Sequence, residues 1–392
     1  MVTFQEARDR RFLALYALAW AGATVAYVPL LTLLLPMHVE QLAGKDAVRW
    51  LALTTFAGAI FASAANIGAG WLSDLVGRRR PFVVAGLALS TAMLLAMPHA
   101  ATLGALLGVI VIWQLGLNLM LGPLSAWAGD RVPDARRGML GGLLAFAPAS
   151  GALAGALVTF PGVADLSLRF GIVGALVAAC VLPLALLGEE GDQKNGLVAS
   201  QGSEMARKVL RGMASRMWLA RLLVQVSEAS LFAYFYLWLR TVDPALPDDA
   251  IARVLVVAMV IGALTALGAG RWADRQGRPV APLVLASGGA EAGLIVMALA
   301  QGRELAMAGY LVFGLSTAVF LALHSAHVLR VLPDSARRGR DLGLFNLTNT
   351  IPSLVMPSLT LALVPALGFG WLFAVLALFA VAALVLLLQP PK

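Results

Sequence analysis

The chain has 392 residues, of which 60% are hydrophobic and only 13% charged, with a formal net charge of +8. Soluble domains carry about 25% charged residues, so half that share, with a mean hydropathy of +0.85, excludes an ordinary soluble protein and makes this an integral membrane protein. The excess Lys and Arg does not point to nucleic acid, because it falls in short loops between apolar runs and not on one water-facing patch.

A hydrocarbon core about 30 Å thick takes roughly 20 apolar residues per helix. On that rule the first half holds spans at residues 12–35, 48–72, 81–98, 102–127, 139–160 and 169–187. The second half holds spans at 217–240, 250–271, 280–300, 304–329, 341–364 and 369–389. The first run is too long for a cleavable signal core and no small-residue cleavage site follows it, so it reads as a membrane helix. The stretch Met37-His38-Val39-Glu40 after it reads as a loop. Cys180, the single cysteine, sits inside an apolar run as a packing residue, which leaves no intrachain disulfide. Residues 188–216 form the only long polar stretch and read as a cytoplasmic tether, with a short surface helix over 204–216. The predicted organisation is therefore an N-terminal six-helix bundle (1–187), a linker (188–216) and a C-terminal six-helix bundle (217–392).

Two charged loops recur. Gly70-Trp71-Leu72-Ser73-Asp74-Leu75-Val76-Gly77-Arg78-Arg79-Arg80 returns as Gly270-Arg271-Trp272-Ala273-Asp274-Arg275-Gln276-Gly277-Arg278-Pro279, with Gly70/Gly270, Asp74/Asp274, Gly77/Gly277 and Arg78/Arg278 all 200 residues apart. Pro133-Asp134-Ala135-Arg136-Arg137-Gly138 returns as Pro333-Asp334-Ser335-Ala336-Arg337-Arg338-Gly339, one residue longer. A chain that repeats two interhelical loops in order has repeated the helices between them, which is a transporter plan. Counted over alternate loops, 22 of the 29 Lys and Arg fall on one side and six on the other, with Arg221 at a helix end. The positive-inside rule then puts both termini and the tether in the cytoplasm, in a plasma (inner) membrane.

The loop at residues 70–80 resembles the signature between the second and third helices of the major facilitator superfamily, and residues 270–279 are a weaker copy at its eighth-to-ninth helix loop. The resemblance covers essentially the whole chain. It implies an all-α membrane protein with twelve transmembrane helices in two pseudo-symmetric six-helix bundles around a central cavity, a secondary active transporter working by alternating access. It also implies gating roles for Gly70, Asp74, Gly77 and Arg78, and more weakly for Asp274, Gly277 and Arg278, with Asp74 docking near Asp341 at the start of the eleventh helix. A carboxylate gains from the unpaired amides at a helix N-terminus, and Gly77 and Gly277 suit tight turns.

Two features depart from the proton-coupled drug antiporters of that family. Residues 102–127 contain no arginine, and Ala147-Pro148-Ala149-Ser150-Gly151-Ala152 stands where those proteins carry Gly-Pro-x-x-Gly-Gly. The run 333–339 leading to Asn346 and Asn349 is similar instead to the glycoside and sucrose transporters of the family.

The resemblance places the first, fourth, seventh and tenth helices on the cavity, and each carries a polar or aromatic stripe at helical spacing. These are Tyr16, Trp20, Thr24 and Tyr27; Gln114, Asn118 and Ser125; Arg221, Gln225, Glu228 and Phe232; and Thr317, Phe320, His324 and His327. The substrate-binding expectation falls on Thr24, Tyr27, Gln114, Asn118, Gln225, Phe232, Thr317, Phe320, Asn346 and Asn349, for a sugar-like or amphipathic organic solute. Each such residue is as consistent with packing between membrane helices. Glu228 and Glu291 are the only carboxylates near mid-membrane, where an ionised group costs at least about 2.5 to 3.5 kcal/mol and needs a partner, water or a proton. Glu228 is the first candidate for proton coupling, beside His324, His327 and Glu291, the last equally suited to a structural hydrogen bond.

His324 and His327 are three residues apart, but no acidic or cysteine cluster completes a metal site, and no cofactor is expected. The chain lacks H-E-x-x-H, G-x-S-x-G and P-loop motifs, which argues against an intramembrane enzyme or a primary pump. The expected partners are a small-molecule substrate, protons and membrane lipid, with the chain a monomer. Drug or metabolite efflux and lysolipid flipping remain alternatives on the same scaffold.

Overall fold

The computed structural model describes residues 4–132, 140, 143–144, 146–163, 165–189, 204–277, 280–331 and 338–389. Every regular element among them is helical. Ten helical stretches are long and apolar enough to cross a membrane, and one of these, 67 residues long, is the first and second spans run together.

A tight helical turn (Gly44–Asp46) links the two, and the first span itself runs past its proline for a local reason. Helix α1 (Phe4–Pro29) ends on a proline whose ring cannot donate, and the chain passes through a π-helical turn (Leu30–Leu34), with the Leu35 N–H bonded to Leu30 O, into α2 (Leu35–Ala43). The column stops at Gly44, whose φ of 53° only glycine adopts readily. The predicted end at residue 35 and the loop at Met37–Glu40 are corrected accordingly: those residues are helical.

Helix α3 (Ala47–Val76) ends at Gly77 with φ 72°, its N–H reaching Ser73 O at 3.1 Å and Asp74 O at 3.3 Å, a left-handed cap. Helix α4 (Arg80–Ala96) follows at once. Thr102 caps α5 (Leu103–Arg131) by accepting from Ala105 N, and Asp165 caps α7 (Leu166–Leu187) by accepting from Ser167 N. Between them α6 (Ala147–Val158) is the described part of the fifth span.

Helix α8 (Glu204–Val242) runs 39 residues without a break, so the surface helix expected over 204–216 and the seventh span are one element. Then come α9 (Asp248–Gln276), α10 (Ala281–Leu299), α11 (Arg303–Val331), α12 (Arg338–Leu367) and α13 (Phe369–Leu388). Gly277, which ends α9, has φ 62°, the same backbone state as Gly77.

The helices gather into two compact units, residues 1–194 with 247–256, and residues 195–246 with 257–392. In the first, α1 packs on α6 and α7, α5 on α3 and α4, and α4 on α7. In the second, α8 packs on α12 and α13, α11 on α10, and α10 on α13. Counted as membrane spans, the pairs 1·5, 1·6, 3·4 and 3·6 recur as 7·11, 7·12, 9·10 and 9·12, so the duplication read from two loops extends to the packing.

Small residues set the tightest of these crossings. A Cβ at Gly86 of α4 would lie 2.4 Å from Met120 N of α5, and one at Gly293 of α10 would lie 2.6 Å from Phe313 N of α11, so backbone meets backbone at the same crossing in both units. Large apolar side chains such as Ile67, Leu285 and Leu378 point outward and stay at least 66% exposed. Such outward greasy faces suit lipid as solvent.

Candidate functional site

The turn at Gly77 carries Arg79 back across the end of α3. Its guanidinium donates from Nη1 to Ser73 Oγ at 2.7 Å, pairs with Asp74, and donates from Nε to Asp130 Oδ2 of α5 at 2.9 Å. Arg79 is only 6% exposed, whereas the Asp74 side chain is 60% exposed and that of Asp130 19%. Arg79, the middle arginine of the triplet, therefore organises the end of α3, and Asp130 and Ser73 complete the cluster. The three consecutive arginines could not be told apart by motif spacing; the signal was Asp130, an acidic residue one position before Arg131 at the end of an apolar run. Arg78 is exposed and makes contacts of its own. Gly70 lies beside Gly122 of α5, where a Cβ would be 3.5 Å from Gly70 N. In the second copy, the Asp274 side chain and Arg278 lie outside the described residues, as do the side chains around Asp341, the expected dock for Asp74.

Higher in the first unit the structure joins three amides across α3 and α5. Asn66 Nδ2 donates to Asn118 Oδ1 at 3.2 Å, and Asn118 Nδ2 donates to Gln114 O at 3.0 Å and to Gln114 Oε1 at 3.3 Å. Gln114 and Asn118 were expected; Asn66 was missed, although it is the one amide in its span. Thr24, also expected to face substrate, is 2% exposed and donates to Ala147 O of α6 at 2.6 Å, with Ser150 Oγ at 3.2 Å, a helix-to-helix contact. Phe12, Tyr16 and Trp20 stack along α1 at 6.0 and 6.1 Å, and Tyr27 is half-buried with contacts of its own. Ser125 is exposed and donates to Leu121 O of its own helix.

At the start of α7, Arg169 is 8% exposed. It donates from Nε to Val163 O at 2.7 Å and from Nη1 to Asp248 Oδ2 at 3.3 Å. At the other end of α7, Glu189 accepts from Arg8 and Arg131, and Trp127 Nε1 donates to Glu189 O at 3.0 Å. The Arg8 contact, then the Arg131 contact, hold the Glu189 carboxyl below the ordinary carboxylate range.

In the second unit one face of α8 carries Arg221, Gln225, Glu228 and Phe232. Arg221 donates from Nε to Thr348 Oγ1 of α12 at 3.0 Å, from Nη1 to Leu321 O of α11 at 3.3 Å and from Nη2 to Asn349 Oδ1 at 3.4 Å. Two turns on, Glu228 lies at the middle of the apolar stretch Ser215–Val242, within electrostatic reach of Arg221 and of Tyr310 on α11. Tyr310 stacks on Phe235 at 3.9 Å. Gln225, between the two ionisable groups, has a buried Oε1 with no hydrogen-bond partner among the described residues.

On α11, Thr317 is 3% exposed and donates to Gly314 O, and Phe320 stacks on His324 at 5.4 Å. A ring nitrogen of His324 meets Met217 O of α8 at 2.8 Å, which ties the two helices together. Glu291 is half-buried on α10, one turn from the fully buried Ser287. The side chains of His327 and Asn346 lie outside the described residues. The structure thus brings together Arg221, Gln225, Glu228, Thr348 and Asn349 in one unit, and Asn66, Gln114 and Asn118 in the other.

A family model described as Major Facilitator Superfamily matches residues 12–302 and 217–392. Two uncharacterised MFS-type transporters of Mycobacterium tuberculosis, MT3072 of strain CDC 1551 / Oshkosh and Rv2994 of strain H37Rv, are each 27% identical over 342 residues, covering 82% of this chain and 73% of theirs. Among solved structures, a bacterial homologue of the human lysosomal transporter Spinster, in an inward-facing and unoccupied conformation, has a TM-score of 0.70 at 14% identity over 99% of this chain and 97% of its own. The human organic anion transporter MFSD10 (TETRAN) has a TM-score of 0.68 at 15% identity over 97% and 99%. Those two likenesses are of fold. The chain belongs to the Major Facilitator Superfamily of membrane transporters.

Proposed function

We propose that the chain is a secondary active transporter that moves a small organic solute by alternating access, with movement coupled to protons through Glu228. The supporting observation is the α8 face itself: a carboxyl placed mid-span, two turns from a guanidinium, in a helix otherwise apolar enough to cross a membrane. An ionisable group in such a place is costly and calls for a function. Arg221 donates to Thr348, Leu321 O and Asn349, neutral acceptors that hold the guanidinium at Coulombic range from Glu228 and not in contact with it. Glu228 is then able to take and release a proton without dismantling its surroundings. The protein resides in the plasma (inner) membrane with both termini cytoplasmic, as the asymmetry of Lys and Arg between alternate loops favours.

The test is proteoliposomes loaded with a pH-sensitive dye and challenged with sugars, amines, amino acids and drugs. One or more solutes should drive a proton flux in the native protein. Glu228→Gln should abolish that flux while leaving exchange of labelled for unlabelled solute intact. Equal proton flux in the Gln variant overturns the coupling assignment.

A further inference from the structure

We infer that the solute seated at the α8 face is an organic amine that binds as its ammonium, competing with the proton for Glu228. The inference rests on the transport reading above and names the solute class for the same site.

Two acceptors lie one turn apart on α8 without donors among the described residues. Gln225 Oε1 is buried with no hydrogen-bond partner among the described residues. Among the described residues Glu228 receives no hydrogen bond; its interaction with Arg221 is Coulombic, across two turns of helix. Buried acceptors are nearly always satisfied in proteins, and one left open at a functional site marks a missing donor. Arg221 does not supply it, because its Nε, Nη1 and Nη2 turn to Thr348, Leu321 O and Asn349. Among the described residues, the titratable groups facing Glu228 are Arg221 on its own helix and Tyr310 on α11. His324 of α11 is turned to Met217 O, α12 contributes Thr348 and Asn349 at Arg221, and α13 has no titratable residue.

The missing partner must therefore bring hydrogen-bond donors, and one that also carries positive charge would match the Glu228 carboxylate. A primary or secondary ammonium does so: one N–H reaches the Glu228 carboxylate and another Gln225 Oε1. Phe232, one turn beyond Glu228, offers a ring to the cation or to its apolar tail. Coulomb attraction falls with distance, so a carboxylate in contact outweighs a guanidinium two turns away. A sugar could also donate, but it would not displace a proton. The exchange balances as Glu228–COOH plus R–NH3⁺ giving Glu228–COO⁻ paired with R–NH3⁺ and one free proton. No covalent bond beyond that O–H is broken.

The experiment uses the full chain in lipid nanodiscs and four probes of matched shape: phenethylammonium, phenethyl alcohol, phenylpropionate and phenyl glucoside. Binding is read by thermal shift and by proton release in weak buffer. Phenethylammonium alone should raise the melting temperature and release up to one proton per site. Its apparent Kd should fall with rising pH by as much as tenfold per unit while Glu228 is protonated. Glu228→Gln should remove the proton release and the pH dependence. Glu228→Asp keeps both and shows that the site still folds, and Gln225→Leu weakens binding several-fold with the pH dependence kept.

Stronger stabilisation by the alcohol, the glucoside or the anion overturns the amine assignment, as does ammonium binding without proton release. If another solute drives a Glu228-dependent proton flux in proteoliposomes, the amine inference falls and the transport reading stands. If no solute moves protons and Glu228→Gln behaves as the native chain, both fall.

Discussion

Asp74 is the aspartate that the loop signature nominates, yet the geometry gives Asp130 the stronger hold on Arg79. Asp130 accepts from Nε at 2.9 Å with its side chain 19% exposed, opposite a guanidinium that is nearly buried. A hydrogen bond to a charged group in that setting contributes about 1.5–3 kcal/mol. Asp74 also pairs with Arg79, but its side chain is 60% exposed, and ion pairs open to water contribute roughly 0–1 kcal/mol. Domains of this size lose about 2–4 °C of melting temperature per kcal/mol. Asp130→Asn should therefore cost about 3–12 °C and Asp74→Asn at most about 4 °C, measured by thermal unfolding of the purified protein in one detergent. Arg79→Lys should resemble Asp130→Asn, because an ammonium cannot serve Ser73, Asp74 and Asp130 with one planar fork. If Asp74→Asn destabilises as much as Asp130→Asn, the ranking by burial is wrong.

Three further outcomes follow from the same reasoning. Gly86→Ala and Gly293→Ala should each destabilise by about 1–3 kcal/mol, since the added methyl meets backbone nitrogen. Gly104→Ala, with open space around it, should be neutral or gain up to about 1 kcal/mol, and equal melting temperatures for all three would refute the close crossings. Arg169→Ala should lower the melting temperature more than Asp248→Asn, because the guanidinium also holds Val163 O; the reverse order counts against the assignment. The contact between Glu189 and Arg8 should be pH-sensitive in one direction. Its folded pKa is depressed, so the stabilisation is complete above the unfolded value of about 4.3 and is lost as pH falls through the folded value. The protection of the Gly188 amide, which donates to Leu184 O, should fall on acidification once exchange is corrected for its intrinsic pH dependence, and that loss should be absent in Glu189→Gln.

The fold was legible because a membrane span is announced by length and apolarity alone, and because the 200-residue repeat exposes the duplication. What composition does not carry is local geometry. The helix past Pro29 continues because the π turn lets Leu35 N–H reach Leu30 O, and no hydropathy pattern registers that. The site was half legible for a related reason. Spacing tells which residues share a helix face, but not whether that face meets a neighbour's backbone. Thr24 and His324 both answer main-chain carbonyls, Ala147 O and Met217 O, which the sequence does not show as acceptors. Asn66 was passed over because a lone amide in a span has no periodic partner on its own helix; its partner, Asn118, is on another.

The duplication also limits where polar chemistry can sit. At the offset that aligns the loops, Asn66, Gln114 and Asn118 correspond to Ala266, Gly314 and Ala318, while Arg221, Gln225 and Glu228 correspond to Ala21, Val25 and Val28. Each of these six polar residues thus corresponds to an apolar residue in the other unit, although the helix pairings repeat. Packing tolerates this because small residues let helices approach at the polar-free positions: a Cβ at Gly262 would meet Ala318 Cβ at 2.8 Å, where α3 and α5 instead join Asn66 to Asn118. A duplicated scaffold reaches unlike halves by keeping backbone contacts while side chains diverge. The same divergence makes a sharp expectation for Ala318→Asn with Ala266→Asn. Installed together they should form an amide pair between α9 and α11, and Ala266→Asn alone should leave a buried amide unsatisfied at a cost of about 1–3 kcal/mol. A double variant no more stable than the sum of the singles would show that the two crossings are not equivalent.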